Sequence, residues 1–191
     1  TAQMAKIEMR RRLTLIGSML VHKGDADGLI CGTWGQTSMH LNYIDQVIGK
    51  RTGVKTYAAM TGLILPGRTV NILDTHINYD PTAEQIAEIT IMAAEEMMRF
   101  GQRPKAALLS HSNFGSSNQP SALKMREALG LIQQQAPWLE IDGEMHGDTA
   151  LDAAYRAELM PHSTLTGEAN LLVCPNIDAA NIAYNLLKVA A

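Results

Sequence analysis

Four clusters in this 191-residue sequence hold side chains that could do chemistry. The first is the run Ser110-His111-Ser112-Asn113-Phe114-Gly115-Ser116-Ser117-Asn118. Small residues let backbone amides approach a ligand, and a helix N-terminus just beyond favours an anion. Ser110, Ser112, Asn113, Gly115, Ser116 and Ser117 are therefore candidates for holding phosphate or pyrophosphate groups. The run is neither a Walker A loop, for want of Gly-Lys-[Ser/Thr] at the required spacing, nor Gly-x-Gly-x-x-Gly. Its alternative reading is a polar loop whose Ser and Asn side chains satisfy their own turns.

The second cluster is Gly32-Thr33-Trp34-Gly35-Gln36-Thr37-Ser38, again between an apolar run and a helix. Gln36 and Thr37 are binding candidates by the same argument; alternatively Thr37 or Ser38 caps the helix. The third, Asp142-Gly143-Glu144-Met145-His146-Gly147-Asp148, alternates like the end of a strand, with His146 on the face of Asp142 and Glu144. It could be drawn as a metal site, but its spacing matches no oxygen-ligand loop. Asp148 is better read as a helix cap. In the fourth, Asp74-Thr75-His76-Ile77-Asn78, a His beside an acid could act as general base or simply hydrogen-bond in a loop. Cys174, ahead of Pro175-Asn176, sits where a helix N-terminus could lower a thiol pKa, although a buried structural Cys fits as well.

These clusters need elements to position them. Met9, Leu13, Ile16 and Leu20 make one apolar face and predict a helix over 3–22 that stops at Gly24. The short run 29–31 between glycines reads as a buried strand, and 37–49 as a helix. Two extended runs, 54–65 and 68–74, flank Pro66-Gly67, which suits a type II turn in a hairpin. Asp80 and Pro81 suit the cap and first residue of a helix over 82–100, whose stripe is Ile86, Ile89, Ala93, Met97 and Phe100. Then come strand 106–109, helix 120–135, strand 139–141, helix 147–158, strand 171–174 and helix 176–189. Strands alternating with helices predict an α/β fold, a mostly parallel sheet with helices on both faces. No internal repeat or low-complexity linker interrupts the pattern.

Composition narrows the functions. The net charge of -3 argues against a nonspecific nucleic-acid binder. Cys31 and Cys174 are the only cysteines and lie far apart, which excludes a disulfide framework or zinc motif and suits a reduced, cytoplasmic setting. No apolar run reaches the ~18 residues of a membrane span.

Several segments together resemble the phosphate acetyl/butyryl-transferase family. They are Asp25-Ala26-Asp27-Gly28-Leu29-Ile30-Cys31-Gly32, the stretch from Asp74 through Gln85, Ala107 through Ser116, Ile141-Asp142-Gly143-Glu144, and Asn170 through Asn176. The order and spacing match over nearly the whole chain. Glu8-Met9-Arg10-Arg11-Arg12, the run Tyr43 through Arg51 and the loop from Ser110 look more like the transacetylase-like C-terminal domain of large NADP-dependent malic enzymes. The resemblance implies a two-lobed fold of the isocitrate/isopropylmalate-dehydrogenase kind and a homodimer. Residues 1–69 and 166–191 would belong to an outer lobe and 70–165 to an inserted one. Acetyl-CoA would sit in the cleft, and transfer of its acetyl group to phosphate would need neither a metal nor a covalent intermediate.

Two departures from the family pattern shape the expected function. Asn42 stands where the transacetylases carry a phosphate-binding Arg, and a neutral amide is no substitute for a charged bidentate fork. The family's C-terminal segment, with a Ser-Arg pair and an Asp, lies beyond this sequence, so the expectation is a central piece of a longer domain. The resulting expectation is a noncatalytic acetyl-CoA-binding module with Gln36, Thr37 and Asn42 in one lobe and the loop from Ser110 to Ser117 in the other. It would regulate its own attached malic enzyme part, which alone would hold NADP and a divalent metal. The rival expectation is a working phosphate acetyltransferase.

Overall fold

The computed structural model describes residues 1–190, and the chain divides into two compact units, Thr1–Lys55 and Thr56–Ala191. The first unit holds three helices: α1 (Ala2–Arg11), α2 (Leu13–Lys23) and α3 (Thr37–Val47). The single helix expected over 3–22 is broken at Arg12, whose φ of -118° and ψ of 90° leave the helical region. Neither Pro nor Gly stands there, and nothing in the sequence explains the break. Gly24 closes α2 as expected, in the left-handed conformation with φ 77°. The cap of α3 is Gln36, without a side-chain hydrogen bond, rather than Thr37 or Ser38.

Residues 29–31 do not form the expected buried strand. Ile30 is fully exposed and Cys31 is exposed too. A strand needs a neighbour to take its N–H and C=O groups. The described elements of this unit are all helices, so no sheet edge is offered.

The second unit is built on one five-stranded sheet, in order β1-β2-β5-β3-β4. β1 (Met60–Leu65) and β2 (Arg68–Leu73) form the expected hairpin, and Gly67 at its corner has φ 77° as a type II turn requires. β5 (Leu171–Val173) runs parallel to both β2 and β3 (Lys105–Leu109), and β3 runs parallel to β4 (Glu140–Met145). Segments 56–69 and 166–190, which the resemblance gives to an outer lobe, thus lie in the same unit as 70–165.

Helix α4 (Ala83–Arg99) starts on a capping box, Thr82 with Gln85, and not on Asp80-Pro81. Asp80 instead pairs with Lys124 of α5 (Pro120–Gln135). The helix expected over 147–158 is two, α6 (Gly147–Leu151) and α7 (Ala153–Leu159), parted at Asp152, which caps α7 through Tyr155 N–H at 2.9 Å. Asp148 lies in the first turn of α6, where His146 holds the cap position. Helix α8 (Ile177–Ala190) ends the described chain.

Alternate residues of each central strand feed two cores, because successive side chains point to opposite faces. Leu73, Ala106, Leu108, Leu171 and Val173 meet Ile86, Ile89 and Met97 of α4 and Met125 and Ile132 of α5. Ile72, Ala107 and Leu172 face the other way, toward Ala150 of α6 and Ala180 of α8. Phe100, expected to finish the α4 stripe, is exposed.

Candidate functional site

Ligands in open α/β sheets gather beyond the carboxyl ends of the strands, where neighbouring strands send their chains to opposite faces. Here β3 leads to α5 on one face, while its neighbour β5 leads to α8 on the other. The loops at this edge are 74–78 after β2, 110–119 after β3, residue 146 after β4 and 174–176 after β5.

The loop after β3 is organised by one carboxylate from β4. Pairing of β3 with β4 passes from Leu108↔Gly143 to Leu109↔Met145, so Glu144 is skipped. Such a bulge re-aims a side chain. Gly143 permits the close approach, since a Cβ there would lie 2.8 Å from the Leu108 carbonyl oxygen. Glu144, fully buried, reaches into the loop, and its Oε1 accepts from Ser112 Oγ at 2.6 Å, Gly115 N at 2.8 Å and Arg126 Nη1 at 2.9 Å. Arg126, from α5, also donates to Ser117 O at 3.0 Å and, through Nη2, to Asn118 Oδ1 at 2.9 Å. The loop is thus clamped from a strand and from a helix.

The remaining bonds are local. Ser117 N–H donates to Ser112 Oγ at 2.9 Å, Asn113 N–H to Ser116 Oγ at 3.0 Å and Ser112 N–H to Ser110 Oγ at 3.1 Å. Phe114 N–H donates to Glu144 O and Ser116 N–H to Asn113 O. Asn113 Oδ1 accepts from His146 N at 2.7 Å, and His146 Nε2 donates to His111 O at 2.9 Å. Phe114 and Gly115 take the left-handed turn, with φ of 46° and 92°.

The amides of residues 112–117 are therefore spent inside the molecule. They do not form an open cradle for an anion, so the self-satisfying reading of the loop describes its backbone. What the loop leaves outward is a polar rim: exposed His111, Ser116 and Asn118, with half-buried Ser117 bonded to His111 Nε2 at 3.0 Å. Of the six candidates here, Ser112 is fully buried and acts as scaffold.

The fourth cluster folds on itself as well. Buried Asp74 accepts through Oδ1 from Ala59 N, His76 N and Ile77 N at 3.2, 3.1 and 3.1 Å, and through Oδ2 from Asn78 N at 3.0 Å. The His76 ring bonds to no acid among the described residues. It stands edge-on to Tyr184 at 5.5 Å, so the general-base reading loses its acid partner. Cys174 is buried, and burial pushes its thiol up to about 12. That removes the activated-thiol reading.

The third cluster is dispersed. Asp142 accepts from Ser163 Oγ and Thr164 N, each at 2.7 Å, while Glu144 turns to Arg126. No group of acids, His and Cys among the described residues could hold a metal ion. Gln36, Thr37 and Asn42 lie in the first unit, and Asn42 Oδ1 accepts from Gln46 Nε2 at 3.0 Å along α3.

Sequence reasoning missed Arg126 and misjudged Glu144. The available signal was positional: Ala122, Met125 and Ala128 mark the buried face of α5, and a cation beside that stripe needs an anion nearby.

The phosphate acetyl/butaryl transferase family profile matches residues 1–191. The NADP-dependent malic enzyme of Escherichia coli (strain K12) is 51% identical over 191 residues, covering 100% of this chain and 25% of that protein. The phosphate acetyltransferase of Paracoccus denitrificans is 37% identical over 195 residues, covering 98% of this chain and 61% of its own length. A phosphotransacetylase structure from Streptococcus pyogenes superposes with a TM-score of 0.85 at 32% identity, over 94% of this chain and 55% of that one. The chain thus spans about a quarter of the length of the malic enzymes it matches.

Proposed function

The chain belongs to the phosphate acetyl/butaryl transferase family, and from that premise we propose that it is a noncatalytic, acetyl-CoA-binding regulatory domain of an NADP-dependent malic enzyme. The observation that carries the reading is the 51% identity to a malic enzyme along the whole chain, against 37% to a phosphate acetyltransferase. Asn42 in place of a phosphate-binding Arg supports it. So does the loop 110–117, whose amides hold its own shape and leave hydroxyl, amide and imidazole donors outward. These polar groups suit the amides and carbonyls of a CoA arm; its phosphates require arginines elsewhere.

In this reading the attached malic enzyme part holds NADP and a divalent metal and decarboxylates malate to pyruvate. The domain pairs with a second copy of itself, in the cytoplasm. Acetyl-CoA regulates by binding one state of the whole protein better than another. No described helix is long and apolar enough to cross a membrane.

The test is calorimetric titration of acetyl-CoA into the full-length protein, with malate oxidation assayed in parallel. Saturable heat together with altered oxidation is expected. Flat heats and unchanged oxidation would sink the reading. A second reading, a working phosphate acetyltransferase, is favoured by the match to the Paracoccus enzyme. It requires phosphate-dependent acetyl transfer by the full-length protein, which the first reading does not expect.

A further inference from the structure

Four serines stand in the loop after β3, and one of them meets a base. Ser112 Oγ is turned inward to Glu144, Ser110 Oγ accepts from Ser112 N–H, and Ser116 Oγ accepts from Asn113 N–H. Ser117 Oγ lies 3.0 Å from His111 Nε2. It already accepts from Gln119 N–H at 3.2 Å, so its own hydrogen is directed at the imidazole. Nε2 is then the accepting nitrogen, and Nδ1 carries the ring proton. Nδ1 faces Ser121 Oγ, in the first turn of α5, at 3.5 Å. A nucleophile, a base and a group that orients the base thus follow one another.

Both reacting partners are held by bonds that do not involve each other. Ser117 N–H donates to Ser112 Oγ, and the Ser117 carbonyl accepts from Arg126. The His111 carbonyl accepts from His146 Nε2 at 2.9 Å. Locking a reactive side chain through its supports is what holds it in productive geometry. The approach is open, since His111 and Asn118 are exposed and Ser117 is half-buried. The amides of residues 112–117 are spent, but the next one, Asn118 N–H, meets no acceptor among the described residues. The amide that follows a nucleophilic serine is a common donor to the oxyanion formed when that serine attacks a carbonyl. All of these groups lie within the second unit.

We propose that Ser117 is a nucleophile that takes a small acyl group from an activated donor, a thioester or an acyl phosphate, with His111 as its base and Ser121 as a positioning residue. The rim around it, Ser116, Asn118 and Gln119, offers no apolar groove for a long acyl chain. Ser117 Oγ attacks the carbonyl carbon. The Oγ–C bond forms, and the C–S bond of the thioester, or the C–O bond to phosphate, breaks with its electron pair leaving on the departing atom. The proton passes from Oγ to His111 Nε2 and then to the leaving group. Nothing is oxidised or reduced, and the product is an O-acyl serine. The step consumes one donor per chain, so it modifies the domain and is not turnover. It goes beyond the regulatory reading, and only the thioester as natural donor rests on that reading.

The test incubates the full-length protein with p-nitrophenyl acetate, acetyl-CoA or acetyl phosphate and maps the tryptic peptide 106–124 by mass spectrometry. An acetyl group on Ser117 is expected with p-nitrophenyl acetate and with at least one of the other two, which identifies the donor. Ser116, exposed and one residue away but without an imidazole, is the control within the same molecule and should stay unlabelled. His111→Gln should slow labelling of Ser117 roughly a hundredfold or more, as loss of a general base predicts, and Ser121→Ala should slow it less. The parent protein decides even where a variant misfolds: no acetyl group on Ser117, equal labelling of Ser116, or labelling by p-nitrophenyl acetate alone overturns the proposal. Undiminished labelling in a folded His111→Gln protein overturns it too. Saturable acetyl-CoA heats with no acetylation by any donor refute the nucleophile and leave the regulatory reading standing. Flat acetyl-CoA heats with acetylation of Ser117 by acetyl phosphate support the nucleophile and remove that reading.

Discussion

The two units of this chain are built in opposite ways. In Thr56–Ala191, two apolar clusters sandwich a sheet, and side chains such as Ile72, Ile86, Leu108 and Ile132 are wholly buried. In Thr1–Lys55, no apolar residue is buried; only Thr14 and Ser18 are. Leu13 is 81% exposed and Ile30 completely so. The second unit has a rigid platform for its loops. The first has helices and a hollow, with little apolar burial of its own to offset the entropy of ordering the chain. The lesson is that a segment can carry helical periodicity and binding-type residues with almost no apolar core of its own.

The two cysteines probe this contrast most sharply. Cys31 is exposed in the first unit and Cys174 is buried in the second. Burial lifts Cys174 to about 12 from the usual 9.0, which cuts its thiolate population near pH 8 about a thousandfold. A disulfide reagent should therefore titrate one thiol in the native chain and two after denaturation. Two fast thiols in the native chain would contradict the contrast. The sign of the linkage is that the neutral thiol is favoured on folding. Its stabilising contribution is complete below the unfolded value of 9.0 and is lost as pH rises toward about 12.

Next in size is Glu144→Ala. It strands Arg126 and leaves Ser112 and the Gly115 amide without their acceptor. Removing one member of a buried charged pair costs about 3–5 kcal/mol. Chemical denaturation should show a loss of that order, with Glu144→Gln losing less because an amide oxygen can still accept. A loss under about 1 kcal/mol would mean that the loop holds its shape without the clamp.

The direct comparison of cores follows. Ile86→Ala in α4 should cost about 2–5 kcal/mol by leaving a cavity. Ile30→Ala, which removes an exposed side chain, should stay within about 0.5 kcal/mol. Equal losses in the same denaturation experiment would mean that Ile30 is covered in solution.

The smallest effect is electrostatic and lies at the opposite end of the sheet from the loops. Burial raises the Glu140 carboxyl, but the hydroxyl and N–H of Thr166, with the charges of Lys105 and Arg103, outweigh it and leave the group below the usual 4.5. A depressed carboxylate stabilises the fold above the unfolded value and ceases to do so as pH falls through the folded one. NMR titration should place the Glu140 midpoint below that of an ordinary glutamate, and Glu140→Gln should flatten the acid limb of stability. A midpoint at or above 4.5 would show that burial prevails.

Much of the second unit was legible because its patterns are locally enforced. The hairpin at Pro66-Gly67, the stripe of α4 and the strand-helix alternation each follow from a few neighbouring residues. The clamp was not legible. Glu144 and Arg126 are 18 residues apart and meet only because β4 skips a residue at its bulge. Arg156 was invisible for the same reason. It is buried with no acid partner among the described residues, donating to the carbonyls of Thr149, Ala150, Leu165 and Gly167, and that fork exists only once α6, α7 and the segment before β5 are assembled. In the first unit the expected strand at 29–31 failed because strand formation is a property of a pair, and the described residues of that unit supply no second edge.

By itself, then, the amino-acid sequence determined the α/β class, the family, the hairpin and the loop that gathers Ser, Asn and Gly after β3. Each of these is written in residue types and short spacings. Tertiary structure alone decided that the loop's amides turn inward, that a β4 carboxylate holds them, and that an indole and two arginines line one hollow in the first unit. Those outcomes depend on which distant donors and acceptors are brought within about 3 Å of one another, and only the folded chain sets that distance.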